Sequence, residues 1–329
     1  VLGSCVIAVA VIAVLAPLFG RGGSGQLELL GAGAFTPGSI DHDVLWVRIP
    51  RVLASLVAGA ALAGAGCALQ ALLRNPLAEP FTLGISSGSS LAAVIAIRLG
   101  AESVFGHSAV GIAALAGASG TLFVVWQLGR IGRHLPPATL ILAGVTISMF
   151  CSSASVLIQY TSDFDDISHM LVWMMGGLEA VRLGWVAYAT GPILIGLGTL
   201  VVYARELDAL AAGPEVAASL GVAVGRTQVV IFAVASLLVG MAIAVVGPIG
   251  FIGLIVPHSL RAVLGPDHRL LLPASIICGA GALTVCDTLS RTILPLNHLP
   301  TGAVTAVIGA VFFLFILFGH KRRAAMWGA

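Results

Sequence analysis

The chain is short of charge. Of its 329 residues only 9% are Asp, Glu, Lys or Arg, where a soluble domain carries about 25%. So few charges cannot solvate a globular surface, and a mean hydropathy of +1.07 with 58% hydrophobic residues points to a chain solvated by lipid. Lysine occurs once, at Lys321, behind Phe318, Gly319 and His320. The phosphate-cradling loop G-x-x-x-x-G-K-[ST] is therefore excluded, and any ATP that drives this protein is hydrolysed on another chain. The acids lie in loops or near span ends, Asp287 being the nearest to an exception. A buried Asp/Glu/Lys relay for ion coupling is thus missing.

The five cysteines, Cys5, Cys67, Cys151, Cys278 and Cys286, form no C-x-x-C pair and have no histidine at a metal spacing. They read as small core residues, which removes zinc and disulfide frameworks. The eight histidines contain no H-E-x-x-H pattern. Gly84 to Gly88 spells G-x-S-x-G, but no strand pattern precedes it, so an intramembrane hydrolase built on Ser86 is disfavoured. Neither a cofactor nor a metal site is expected, and the chain reads as a transport subunit that does no covalent chemistry.

What the chain has in plenty is long apolar runs. Ten spans are predicted, at roughly 1–19, 50–71, 82–98, 108–128, 138–159, 184–203, 228–247, 249–264, 270–288 and 302–319. The fold class is an all-α polytopic membrane protein, a single domain over 1–329. Lys321, Arg322 and Arg323 after the last run put the C-terminus in the cytoplasm, and an even count puts the N-terminus there too. Ten of the 16 Lys and Arg then fall inside. Arg48 and Arg51, at the mouth of the second run in "RIPR", stand on the disfavoured outer side and need another reason to be there.

Small residues Gly59, Ala60, Ala63 and Gly64 line the second run at a spacing that lets helix backbones approach closely. "RNPLAEPFTLGISSGSS" and "VVGPIGFIGLIVPH" interrupt spans with Gly and Pro, tolerable only against protein or a water-filled cavity. Three acids in "TSDFDDISHM", Asp163, Asp165 and Asp166, read as a solvated outer loop. The inner segment 204–226 is too polar to span and reads as two short amphipathic helices. Gly213 and Pro214 supply an N-cap and first helical position, Glu215 suits the N-terminal dipole, and Gly221 the stop. Leu207 with Leu210, and Val216 with Leu220, give each piece an apolar stripe, which lipid alone could cover.

Four blocks, "RIPRVLASLVAGAALAGAGCALQALLRNPLAEPFTLGISSGSS", "ELDALAAGPEVAASLGV", "GPIGFIGLIVPHSLRAVLGPDHRLLLPAS" and "DTLSRTILPLNHLPTGAVTAVIGAVFF", resemble, in order and in register from about Arg48 to Phe313, the FecCD family. These are permeases of ABC importers for iron-siderophores, haem and cobalamin. The resemblance implies a ten-helix inner-membrane subunit paired with a second permease copy, two cytoplasmic ATPase subunits beneath and a periplasmic binding protein above. It implies that Arg48, Arg51 and Arg291 lie on the periplasmic surface and receive glutamates of the binding protein. It also implies that Leu210, Gly213, Pro214, Glu215, Ala217, Ala218, Leu220 and Gly221 belong to coupling helices that meet the ATPase. A ferric siderophore or haem is the expected cargo, with cobalamin next; an ion-coupled secondary transporter is the alternative. The chain departs from the family at Gly176-Gly177, where a small polar residue is common, and at Gly309-Ala310-Val311, where Pro often follows the glycine.

Overall fold

The structure is a computed structural model that describes residues 2–21, 26–36, 38–101, 108–132, 135–179, 181–294 and 299–327. Ten apolar helices account for the ten predicted runs. They are α1 (Leu2–Leu18), α2 (Ile40–Leu72), α3 (Ile85–Arg98), α4 (Ser108–Gly129), α5 (Pro137–Tyr160), α7 (Leu183–Val202), α10 (Val224–Val246), α11 (Ile252–Leu264), α12 (His268–Ile293) and α13 (Thr301–Trp327). Six of them are long enough to cross a bilayer unaided. Three further short helices are α6 (Phe164–Met174), α8 (Ala204–Ala212) and α9 (Pro214–Ser219). The inner cluster Lys321 to Arg323, on which the orientation rests, continues α13.

Three elements differ from the sequence reading. A two-stranded antiparallel hairpin, β1 (Phe19–Arg21) with β2 (Leu27–Leu29), follows α1 in an otherwise all-α fold. The second span begins ten residues early, at Ile40, because the Ser39 side chain caps it by accepting from the His42 N–H, and Asp41 and Asp43 favour its N-terminal dipole. Pro50 is taken into its interior at the cost of one backbone hydrogen bond. The acidic run is a helix rather than a loop. Asp163 stands at the N-cap of α6, Asp165 and Asp166 occupy its first turn, and Asp166 pairs with Arg98 at the end of α3 at 3.3 Å.

α2 is the central helix, buried along most of its length from Arg51 to Leu72. It packs on α12 through Gly59 and Gly279 and on α11 through Gly66 and Gly253; a Cβ at Gly59 or Gly66 would collide with the facing carbonyl. That is the use the small-residue stripe predicted. Elsewhere large apolar side chains face outward, among them Leu142, Phe150 and Leu157 on α5 and Ile195 on α7. Such surface suits lipid or another membrane subunit, not water.

Candidate functional site

Of the four shorter apolar helices, α3 and α11 fall furthest below the length needed to cross the membrane. At 1.5 Å per residue α3 and α11 rise only about 20 Å, against about 30 Å of hydrocarbon. The Gly/Pro segments that precede them complete each crossing. Before α3 a 3₁₀ turn, Pro80–Leu83, ends at Gly84, whose φ of +79° is left-handed. Before α11 an extended stretch from Gly247 leads to Phe251, a non-glycine residue at φ +69°. α11 therefore starts deep within the bundle, with Gly253 against Leu62 and Gly66 of α2 and its first carbonyls taken by Gln70 at 3.4 to 3.5 Å.

The two interruptions meet. The Phe251 N–H donates to Glu79 Oε1, and both segments border one cavity of about 410 Å³. Ser86, Ser87 and Ser90 of α3, with Ser152 and Ser155 of α5, form its polar wall. Met174 and Met175, from the end of α6, border it as well. Among the described residues that line it, Glu79 is the sole ionisable one. It is half-buried, with the Phe251 N–H held against its carboxyl. Sequence reading named the two breaks but missed Glu79 and its contact; the signal available was an acid placed directly inside a Gly/Pro break. Both departures from the family pattern fall beside this wall. Gly176 packs against Pro248, and Gly309 faces the Phe251 ring so closely that a Cβ there would clash. Ser86 sits in the first turn of α3 with no strand before it, since the strands among the described residues are those of the β1–β2 hairpin. It is not a nucleophile elbow.

At the outer end, Arg51 of α2 and Arg291 of α12 flank Asp287, which is fully buried. Arg51 Nε donates to Asp287 Oδ1 at 2.8 Å, and Arg291 Nε lies 3.3 Å from Oδ2. Thr301 Oγ1 also donates to Oδ1, at 3.1 Å. The sequence reading put all three arginines on the surface, yet Arg51 and Arg291 are only 9% and 5% exposed. Their burial follows from Asp287, because a desolvated carboxylate needs a cation partner. Arg48 is half-buried and donates to the Pro17 carbonyl at 3.3 Å, while Arg291 donates to that of Ala16 at 3.1 Å. These are last-turn carbonyls of α1, so two arginines cap its negative end. Arg48 adjoins the other two arginines with Asp41 as its own acidic neighbour, so three guanidiniums against two carboxylates leave a net positive charge.

At the inner end the predicted pair of helices is present as α8 and α9. Gly213, at φ +127°, is the N-cap of α9 with Pro214 in the first position, and Gly221 turns left-handed at φ +83° after Leu220. Leu207 and Leu210 of α8 are buried against the bundle. Asp208 fastens α8 to α12: its Oδ1 accepts from the His268 N–H at 2.9 Å and contacts His268 Nδ1 at 2.6 Å. The stripe on α9 points the other way. Val216 and Leu220 are 45% and 69% exposed, Ala217 is packed inward, and Ala218 is exposed with Glu215. Between α9 and the ends of α4 and α10 lies a cavity of about 900 Å³, bordered by Pro214, Glu215, Ala218, Trp126, Arg130 and Arg226. Among the described residues no group of three or more His, Cys, Asp or Glu could hold a metal ion.

Residues 5–319 match the FecCD transport family. The cobalamin import system permease protein BtuC of Halobacterium salinarum is 40% identical over 278 residues, 84% of this chain and 74% of that protein. The vitamin B12 import system permease protein BtuC of Escherichia coli O127:H6 is 37% identical over 301 residues, 91% of this chain and 90% of that protein. A solved ABC transporter assigned to the metal-chelate type, in an inward-facing conformation, superimposes with a TM-score of 0.84 at 28% identity, covering 97% of this chain and 98% of its own. With ten apolar helices, two meeting breaks and a cavity between them, the chain is a multi-pass inner-membrane protein and belongs to the FecCD transport family of ABC importer permeases.

Proposed function

We propose that this permease carries cobalamin or a closely related corrinoid from periplasm to cytoplasm. Siderophore and haem, the cargoes favoured by the sequence reading, take second place because the two relatives named above are cobalamin and vitamin B12 import permeases. The observation that carries the transport reading is the meeting of the two Gly/Pro breaks at one polar-walled cavity. Helix-breaking backbone at membrane depth is stable only where it borders protein or a water-filled cavity, and here it borders the bundle and a polar-walled cavity.

The chain works with a second permease copy, whose apposition shares the path between subunits and covers exposed apolar faces. Two ATPase subunits bind beneath, on the knob made by Val216, Ala218 and Leu220. Leu210, Gly213, Pro214, Ala217 and Gly221 set its angle, and Glu215 and the adjoining cavity complete the surface. A binding protein docks above, steered by the net positive charge of Arg48, Arg51 and Arg291. Arg48, the least buried of the three, touches it, and the other two act mainly through the field. ATP binding and hydrolysis on the partners supply the free energy that separates inward and outward states.

The test is uptake into proteoliposomes holding the permease, its ATPase subunits and the loaded binding protein. ATP-dependent accumulation of cyanocobalamin, with little of a ferric siderophore or haem, is expected. Accumulation driven by an ion gradient without ATP would instead favour a secondary transporter, and preference for an iron chelate would overturn the cargo.

A further inference from the structure

Glu79 has a charge where its geometry asks only for an acceptor. The Phe251 N–H that it receives belongs to the N-cap of α11, a helix of 13 residues whose positive end opens on the cavity. A glutamine carbonyl would satisfy that N–H as well and would bring no ionisable group into the half-buried site. An ionisable group kept at a cost inside a membrane pathway calls for a functional account. Helix N-termini attract anions, since their N–H groups point at the ligand and the dipole favours negative charge. With Glu79 seated there, α11 offers no such welcome to a passing anion, and among the described residues no second ionisable group lines the cavity to offset its charge.

We propose that Glu79 is the charge-selectivity residue of the pathway, filling the anion-attracting end of α11 so that neutral or cationic chelates pass and anionic ones are repelled. The inference rests on the import reading above and deepens it. Its chemistry favours chelates whose periphery offers amide N–H donors over those that carry free carboxylates. Ser86, Ser87 and Ser90, on the opposing wall, are neutral donors and acceptors that suit the same class.

Two measurements test it. The first needs no cargo. In a full-length chain with the five cysteines replaced, Ser87→Cys puts a thiol on the cavity wall, and its modification by an anionic and a cationic methanethiosulfonate gives a rate ratio. Glu79→Gln should raise the anion-to-cation ratio about tenfold, and Glu79→Asp should leave it near the wild-type value. Glu79→Asn provides a second neutral variant should glutamine impair folding. An unchanged ratio in the neutral variants overturns the proposal. The second compares uptake of cyanocobalamin with that of its isostere in which one peripheral amide is hydrolysed to a carboxylate. Glu79→Gln should narrow the preference for the neutral form several-fold while cyanocobalamin uptake persists. A shifted thiol ratio with unchanged cargo preference also overturns the proposal. If the wild-type complex carries neither corrinoid, the cargo reading fails, and the thiol ratio alone still decides whether Glu79 sets the field.

Discussion

The two ends of the permease place their charged and apolar side chains by opposite means. At the outer end charge is drawn inside: Arg51, Arg291 and Asp287 are buried and joined by hydrogen bonds and ion pairs across α2, α12 and α13. At the inner end apolar surface is pushed outside: Val216 and Leu220 stand exposed on a short helix anchored by Leu207, Leu210 and Asp208. A buried ion network has no slack, because removing one member strands the rest. An exposed apolar knob costs the free chain little to alter and matters when a partner covers it. The outer end should therefore respond to mutation in stability and the inner end in coupling.

Asp287→Ala gives the largest expected effect. It leaves two buried guanidiniums without their carboxylate, and a loss of about 3–5 kcal/mol is expected. Thermal unfolding in detergent should show a large fall in Tm or failure to accumulate, and wild-type stability would mean that the cluster is hydrated in the membrane. Ala218→Glu comes next, and its effect lies in function. Stability should change by no more than about 0.5 kcal/mol, while uptake and the ATPase stimulation produced by the loaded binding protein should be abolished, because a carboxylate would be desolvated in the interface. Wild-type stimulation would make α9 a lipid-facing helix and dissolve the contrast between the ends.

Arg48→Glu sharpens the comparison within the outer cluster. Docking of the binding protein should weaken about tenfold at low ionic strength and approach wild type in high salt, with a stability loss of about 0.5–1 kcal/mol from the lost cap on α1. Arg51→Glu should instead destabilise the chain, since it sets a second carboxylate against Asp287. Equal docking defects with equal stability would show that burial does not separate their roles. The smallest effect belongs to Glu79. Glu79→Gln keeps an acceptor for the Phe251 N–H, so Tm should move by no more than on the order of 1 °C, as read by thermal unfolding in detergent. A large fall would mean that the carboxylate itself holds the two breaks together.

What was legible in the sequence was whatever a short window contains. Apolar runs near 20 residues announce helices because each must satisfy its own backbone in lipid, and all ten were visible. Gly213-Pro214 and Gly221 announced α9 because caps are local chemistry. The start of α2 escaped because Ser39 and the acids after it look like a loop until helix propagation from the apolar run reaches them. α6 escaped for a similar reason, with Asp163, Asp165 and Asp166 read as solvated rather than as a helix start.

The amino-acid order by itself determined that this protein lives in a membrane, crosses it with ten helices, contains no G-x-x-x-x-G-K-[ST] phosphate loop and carries an amphipathic pair on its inner face. Only the tertiary structure decided which polar groups face each other. Arg51 finds Asp287 at a separation of 236 residues, and Glu79 finds Phe251 at 172. No local pattern encodes such pairs, because the free energy that makes them comes from removing both groups from water at once, and that happens only when the helices that carry them have packed.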